Sequence, residues 1–355
     1  MSSGPSLPRS AAPPTAPSAA PPTARSTAPL GAPSSASAES VRLVLTQGDP
    51  AGVGPELLLR LAAEGRLRSG DLVVADPVRL RGLARELGGW AARGLAVIEA
   101  LLDHDATPSP HGPPGRHGQV SALVRGVDLV LEDPRGRALV TAPIDKAGCR
   151  DEGFAFPGHT EYLAARAHVD DFAMLMVGPT LRVVLATIHI PLREVPLRLD
   201  IASIVRAGTL LARALRTHFG VPRPVIGVLG LNPHAGERGM LGDEETTTVA
   251  PAVLALNHWA AEHHDPAVFR GPLPADTAFA IHADGQLDGL VAMYHDQGLA
   301  PFKLLHMRDG VNMTLGLPFV RTSPDHGTAR DIAGRGLVDP SSMFAAVALA
   351  RGHER

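Results

Sequence analysis

A chain of 355 residues, 45% of them hydrophobic and 19% charged, can bury a large core and has room for two subdomains. Its net charge of -3 gives no basic excess for nucleic acid, and no apolar run approaches the roughly 18 residues of a membrane span. Cys149 is the sole cysteine, which excludes an internal disulfide framework and fits a reducing cytoplasm.

Residues 1–40 are almost all Ser, Pro, Ala, Thr and Gly, too poor in apolar surface to offset their ordering entropy, and read as a disordered tail. They contain no apolar stretch of the length a secretory signal needs. A strand is expected over 41–46. The Gly-rich loop 48–54 then enters a helix at Pro55-Glu56, with Pro at a favoured first position. That loop matches neither nucleotide fingerprint, so a tight strand-to-helix turn and a phosphate contact are both open readings. Next come a strand over 71–75, a helix over 77–87 and a short strand near 95–98. Residues 103–118 are rich in Pro, Gly and His, so His104, His111 and His117 belong to a solvated loop. A helix over 119–132 leads to a strand over 137–140. Another helix begins near Pro157, with His159 or Thr160 as its N-cap. Strands over 172–177 and 181–187, joined through Gly178-Pro179-Thr180, form a hairpin. Amphipathic helices follow over 200–219 and 243–262, the second opening on Asp243-Glu244-Glu245, which suits the helix dipole. A turn-rich loop spans 271–277, a buried strand 289–292 and a last helix 340–351. The alternation of strand and helix predicts an α/β fold, and the hairpin makes its mostly parallel sheets mixed.

Three histidines share one setting. His189, His234 and His295 each follow an apolar strand, and Pro or Gly follows each closely. Ligands of open α/β folds bind at strand exits. Neutral imidazoles suit first-row divalent ions, and three protein ligands leave a position open for substrate. Taken singly, each reads as a solvated or capping residue; it is the three together that point to a metal. Asp276 and Asp296 are either carboxylates that orient such histidines or local caps.

The blocks GDPAGVGPE (48–56), TAPIDK (141–146), FPGHTEYLA (156–164), NPHAGERG (232–239), GPLPADT (271–277), MYHDQGLAPFK (293–303) and GVNMTLGLPFVRTSPDHGTARDIAGRG (310–336) resemble the 4-hydroxythreonine-4-phosphate dehydrogenases of vitamin B6 synthesis. The resemblance spans nearly all of 41–350. It implies a fold like isopropylmalate dehydrogenase, with two subdomains around a central cleft. The outer subdomain would take 41–150 plus 325–355. The middle, 151–324, would carry the metal and substrate sites and the dimer interface. It implies a divalent metal (Zn, Mg or Co) on His189, His234 and His295, and substrate contacts from His159, Thr160, Lys303, Asn312 and Arg321. It also implies a homodimer whose active site draws on both subunits. The segment from His326 resembles the adenosine-binding loop of isocitrate and isopropylmalate dehydrogenases, which implies NAD contacts from His326, Gly327, Thr328, Asp331 and Ile332. The implied reaction is oxidation of 4-phosphooxy-L-threonine to 2-amino-3-oxo-4-phosphooxybutanoate, then decarboxylation to 3-amino-2-oxopropyl phosphate. His159 and a water on the metal are both open as proton acceptor. A paralogous dehydrogenase of D-threonate or D-erythronate 4-phosphate is the alternative, since the sugar acid differs chiefly by hydroxyl for amine. A cis-dihydrodiol dehydrogenase is a more distant one. A metal-dependent hydrolase or a non-redox phosphate-binding protein would have no use for an adenosine loop.

Overall fold

The computed structural model describes residues 41–103 and 118–352. The expected tail and the loop holding His104, His111 and His117 lie outside the described residues. In chain order the elements begin β1 (Arg42–Thr46), α1 (Gly54–Ala63), β2 (Leu72–Val74), α2 (Pro77–Leu87), α3 (Gly89–Glu99), α4 (Gln119–Glu132) and β3 (Arg137–Thr141). Then follow α5 (Lys146–Asp151), α6 (His159–Arg166), β4 (Ala173–Val177), β5 (Arg182–Leu185), α7 (Val195–Arg198), α8 (Ile201–Thr217) and β6 (Val225–Leu229). The chain closes with α9 (Ala250–Glu262), β7 (Val268–Leu273), α10 (Ala275–Ala283), β8 (Gly289–Ala292), α11 (His295–His306), β9 (Val311–Leu315), β10 (Arg321–Pro324) and α12 (Ser341–Ala350). No helix among the described residues is long and apolar enough to cross a membrane.

The strands form one mixed sheet in the order β2-β1-β3-β10-β9-β4-β5-β8-β6-β7. Pairing is parallel on both wings and antiparallel only where β9 meets β10 and β4, and where β4 meets β5. The α/β class and the mostly parallel mixed sheet are as expected. The β4–β5 hairpin forms where Gly178-Pro179-Thr180 predicts it, with Leu175 opposite Val184. Strands β4 and β8 are buried throughout, which is why they read as continuous apolar runs rather than alternating ones.

Three local expectations are corrected. Residues 95–98 belong to helix α3, not to a strand. Ala91, Gly94 and Ile98 share its buried face at helical spacing, and α3 packs so closely on α1 that a Cβ at Gly94 would lie 2.2 Å from the Leu59 carbonyl oxygen. The N-cap of α6 is Gly158, and neither His159 nor Thr160 caps it. In α8 the amphipathic pattern puts Ile201, Ile204, Val205, Leu211 and Leu215 on the apolar side; Ile204, Leu211 and Leu215 are at 0% exposure, but Ile201, in the first turn, is 40% exposed. That helix opens on a capping box in which Asp200 accepts from the Ser203 backbone N–H.

Candidate active site

A pocket of about 360 Å³ lies over the face of β9 and β4. The segments leaving β3 and β10 (Ala142, Pro143, Asp325, His326) border it on one side, and those leaving β5 and β8 (His189, His295) on the other. The sheet register sets its floor. Met176 faces Asn312 and Asn312 faces Ser323, while Met174 faces Thr314 and Thr314 faces Arg321. Alternation along each strand therefore turns Asn312 and Arg321 to the same face as the two methionines. Helix α6 adds His159, Thr160 and Glu161, and α11 adds Lys303. All five expected substrate residues thus line one cavity.

Arg321 is 2% exposed, and its guanidinium donates only to hydroxyls: to Thr314 Oγ1 at 3.1 Å and Thr141 Oγ1 at 2.7 Å. It forms no ion pair among the described residues. Burial lowers its pKa to about 10, with Glu161 opposing the shift. A buried cation without a contacting carboxylate is stable only if an anion joins it or its charge is otherwise offset. Its Nε also has no hydrogen-bond partner, and neither do His159 Nε2, Asn312 Oδ1 and His326 Nε2, all buried and all in residues that line this pocket. Buried polar atoms are nearly always bonded, so this grouping marks a place prepared for a polar ligand. Lys303 holds Asp325 at 3.1 Å. Burial raises the Asp325 pKa, and Lys303 pulls the other way. His159 is held well below 6.5 by burial and then by the charges of Arg321 and Lys146, so its imidazole is neutral.

Of the three strand-exit histidines, His189 and His295 meet at this pocket, with ring centroids 5.7 Å apart. His295 Nδ1 is 2.8 Å from Asp296 Oδ1, which leaves Nε2 as its outward nitrogen. Burial, then Lys146 and His295, lower the His189 pKa. His234 is not with them. It is exposed, with φ 50°, in a left-handed turn over Pro233–Gly239, and it is absent from the pocket lining. No group of three His, Cys, Asp or Glu suited to a metal ion occurs among the described residues. The turn bearing His234 is nevertheless built firmly. Asn232 donates through its backbone N–H to Glu245 Oε1 at 2.7 Å and through Nδ2 to Glu244 Oε2 at 2.7 Å. The acidic opening read as a dipole match therefore holds this turn. Gln297 ties it to the β8 exit by donating to the Gly230 carbonyl at 2.7 Å. Asp276 does not cap α10, since Pro274 takes the N-cap position, and it makes no hydrogen bond to a histidine among the described residues.

His326 and Gly327 line the pocket, while Thr328, Asp331 and Ile332 lie in the turns beyond it. The Gly-rich loop after β1 packs against this segment. Val53 N–H donates to the Thr328 carbonyl at 2.9 Å, and Arg330 bridges Asp49 at 2.6 Å and Asp145 at 3.0 Å. A Cβ at Gly52 would lie 2.7 Å from the Thr328 carbonyl oxygen, which explains the glycine there. Asp331 is exposed, and among the described residues only its main-chain carbonyl is bonded, by Arg335.

Sequence reasoning missed Lys146, Glu161 and Asp325, which also line the cavity. Each sits inside a recognised block. None stands out by residue type, because a lone Lys or Glu near a helix start, or a lone Asp after a strand, reads as an ordinary surface residue.

Residues 98–350 match the family model described as pyridoxal phosphate biosynthetic protein PdxA. A 4-hydroxythreonine-4-phosphate dehydrogenase of Desulforapulum autotrophicum is 42% identical over 86% of this chain and 93% of its own. One of Paracoccus denitrificans is 43% identical over 88% of this chain and 97% of its own. The solved 4-hydroxythreonine-4-phosphate dehydrogenase of Klebsiella pneumoniae is 34% identical, with a TM-score of 0.72 over 89% of this chain and 100% of that one. With the family model and these full-length relatives in agreement over the same residues that build the pocket, the chain belongs to the pyridoxal phosphate biosynthetic protein PdxA family.

Proposed function

We propose that this dehydrogenase oxidises the secondary alcohol of 4-phosphooxy-L-threonine with NAD and a divalent metal, and that the β-keto acid formed then loses carbon dioxide to give 3-amino-2-oxopropyl phosphate. The observation that carries the reading is the buried Arg321, bonded only to Thr141 and Thr314 hydroxyls and lining a pocket with Lys303, Asn312 and Lys146. Such a grip suits a small molecule with phosphate and carboxylate at its ends.

His189 and His295 fit a metal. They are neighbouring imidazoles, the neutral form of one favoured by burial and the other oriented by a carboxylate, as ligand histidines are. We assign the third ligand to His234 of a second copy, because in one chain it stands apart from the other two. When bound, the metal supplies a Lewis acid that acidifies the substrate hydroxyl, and NAD supplies the hydride acceptor. The chain's own residues do the rest. Arg321, Lys303 and Asn312 hold the anionic ends, so the reacting carbon is fixed between them. Neutral His159, with Nε2 unpartnered, accepts the hydroxyl proton as the carbon–hydrogen bond delivers its electron pair. The substrate's negative charge offsets Arg321 and Lys146, which strengthens His159 as a base only once substrate is present.

We place NAD against the loop of His326, Gly327, Thr328, Asp331 and Ile332, with the unbonded Asp331 carboxylate free to accept from ribose hydroxyls. The enzyme is further read as a cytoplasmic homodimer, with 41–150 and 325–355 as one subdomain and 151–324 as the other. The decisive assay follows reduced nicotinamide absorbance with the three acids, 4-phosphooxy-L-threonine, D-threonate 4-phosphate and D-erythronate 4-phosphate. The amino acid is expected to be the preferred substrate. Turnover of the sugar acids alone would transfer the reading to the paralogous reaction.

A further inference from the structure

Two carboxylates line the pocket, Glu161 and Asp325. Asp325 already has a partner in Lys303 at 3.1 Å. Glu161 has none. It stands in the first turn of α6, half-buried, and makes no hydrogen bond or ion pair among the described residues. Its place is nonetheless well defined. A Cβ built on Gly158 would lie 3.4 Å from Glu161 Oε2 and 3.9 Å from Lys146 Cε. Its charge also acts on Arg321 and on His189. The carboxylate is therefore close to the anion grip and to the histidine pair, bonded to neither. A site made only to bind anions has no use for it, since it opposes them.

We propose that Glu161 accepts the α-ammonium group of the substrate and thereby selects a phosphorylated amino acid over the corresponding hydroxy acid. The inference rests on the reading of the pocket given above. In 4-phosphooxy-L-threonine the ammonium is carried by the carbon next to the one oxidised. With the reacting hydroxyl at His189 and His295, that ammonium lies two bonds from the reacting carbon, in the region where Glu161 acts on His189. A hydroxyl at the same position still donates a hydrogen bond to the carboxylate, but it carries no charge and so forms no ion pair with it. The hydroxy acid also lacks the positive charge that offsets Glu161 against the substrate's own phosphate and carboxylate. Both effects favour the amino acid, by about tenfold or more together.

The test measures kcat/KM of the full chain, with NAD and metal, for 4-phosphooxy-L-threonine and for D-erythronate and D-threonate 4-phosphates. It compares wild type with Glu161→Gln and Glu161→Asp, after matching their thermal melts. Expected is a wild-type preference for the amino acid that falls by about tenfold or more in Glu161→Gln, the hydroxy acids losing far less, and a partial return in Glu161→Asp. Equal losses on both substrate classes, an unshifted preference in a folded variant, or a wild type that prefers the hydroxy acids would overturn the assignment. Failure of the wild type on every substrate would instead overturn the proposed function, a result distinct from an active wild type whose preference Glu161→Gln leaves unmoved.

Discussion

Arg321 shows how a neutral setting can specify a charged ligand. Its fork is fixed by two hydroxyls on the neighbouring strands β3 and β9, so its direction is set before any anion arrives. Lysine has one point charge and cannot make both bonds and a bidentate contact. Arg321→Lys is expected to lower kcat/KM for the phosphorylated substrate by about 10- to 100-fold, with a much smaller change in the KM for NAD. Varying each substrate separately checks this, and equal effects on both would refute it. His159 gives a pH prediction. Burial first, then Arg321 and Lys146, favour its neutral form, so in the free enzyme it stays unprotonated at pH 6.5 and protonates only below. Bound anionic substrate counters the two cations and raises its pKa. The acid limb of kcat should therefore lie at higher pH than that of kcat/KM, and Lys146→Gln should move the kcat/KM limb upward. Coincident limbs in pH–rate profiles would remove His159 from the role of base.

At the scale of elements, close backbone approaches decide where the site's parts sit. Helix α3 touches α1 at Gly94, where any side chain meets the Leu59 carbonyl. Gly94→Ala should destabilise the fold by roughly 1–3 kcal/mol, as overpacking does, measured by urea denaturation. An unchanged midpoint would show that the two helices separate freely. The loop after β10 is held differently, by the Asp49–Arg330–Asp145 bridge and the Val53-to-Thr328 bond. Arg330 is half exposed, so its ion pairs are screened and each is worth little. Arg330→Met should raise the KM for NAD by about twofold to fivefold while moving the substrate KM less. An effect confined to the phosphorylated substrate would mean that the bridge serves Lys146, which Asp145 precedes as N-cap of α5, rather than the loop.

For the whole molecule, the separation of His234 from His189 and His295 makes a prediction about assembly. Mixed dimers formed from His189→Ala and His234→Ala chains should regain activity that neither variant has alone, because one of the two sites then holds three intact ligands. Absence of recovery on subunit exchange would place all three in one chain. Stability should also depend on pH. His282 accepts from the Arg182 backbone N–H at Nε2 and so donates from Nδ1 to the Leu287 carbonyl. Burial lowers its pKa, and that of His218. Both groups favour the folded state fully above about 6.5, the unfolded value, and that contribution is lost as pH falls toward their folded values. Denaturant midpoints should thus fall between pH 7 and pH 5, and His282→Asn, which takes on no proton, should flatten the slope.

The sequence alone determined the element types wherever period and punctuation agreed. Residues 77–87 and 119–132 are helices at the expected bounds, and the hairpin turns at Gly178-Pro179. It also determined the family, since ordered blocks of identity do not depend on contacts. It misread 95–98, because a four-residue apolar run has no period to separate strand from helix, and only the contact of Gly94 with α1 decides. It read Asp243-Glu244-Glu245 as a dipole match because the partner, Asn232, is local only in three dimensions. The same limit holds for the site. Placement at strand exits marked His189 and His295, and the family resemblance marked Arg321, but only the register of β4, β9 and β10 turns Asn312 and Arg321 to one face, and only the packing of α6 over that face brings Glu161 and His159 to them. A linear pattern fixes which way each side chain alternates; which neighbours it then meets depends on strand order, and strand order is a property of the folded sheet.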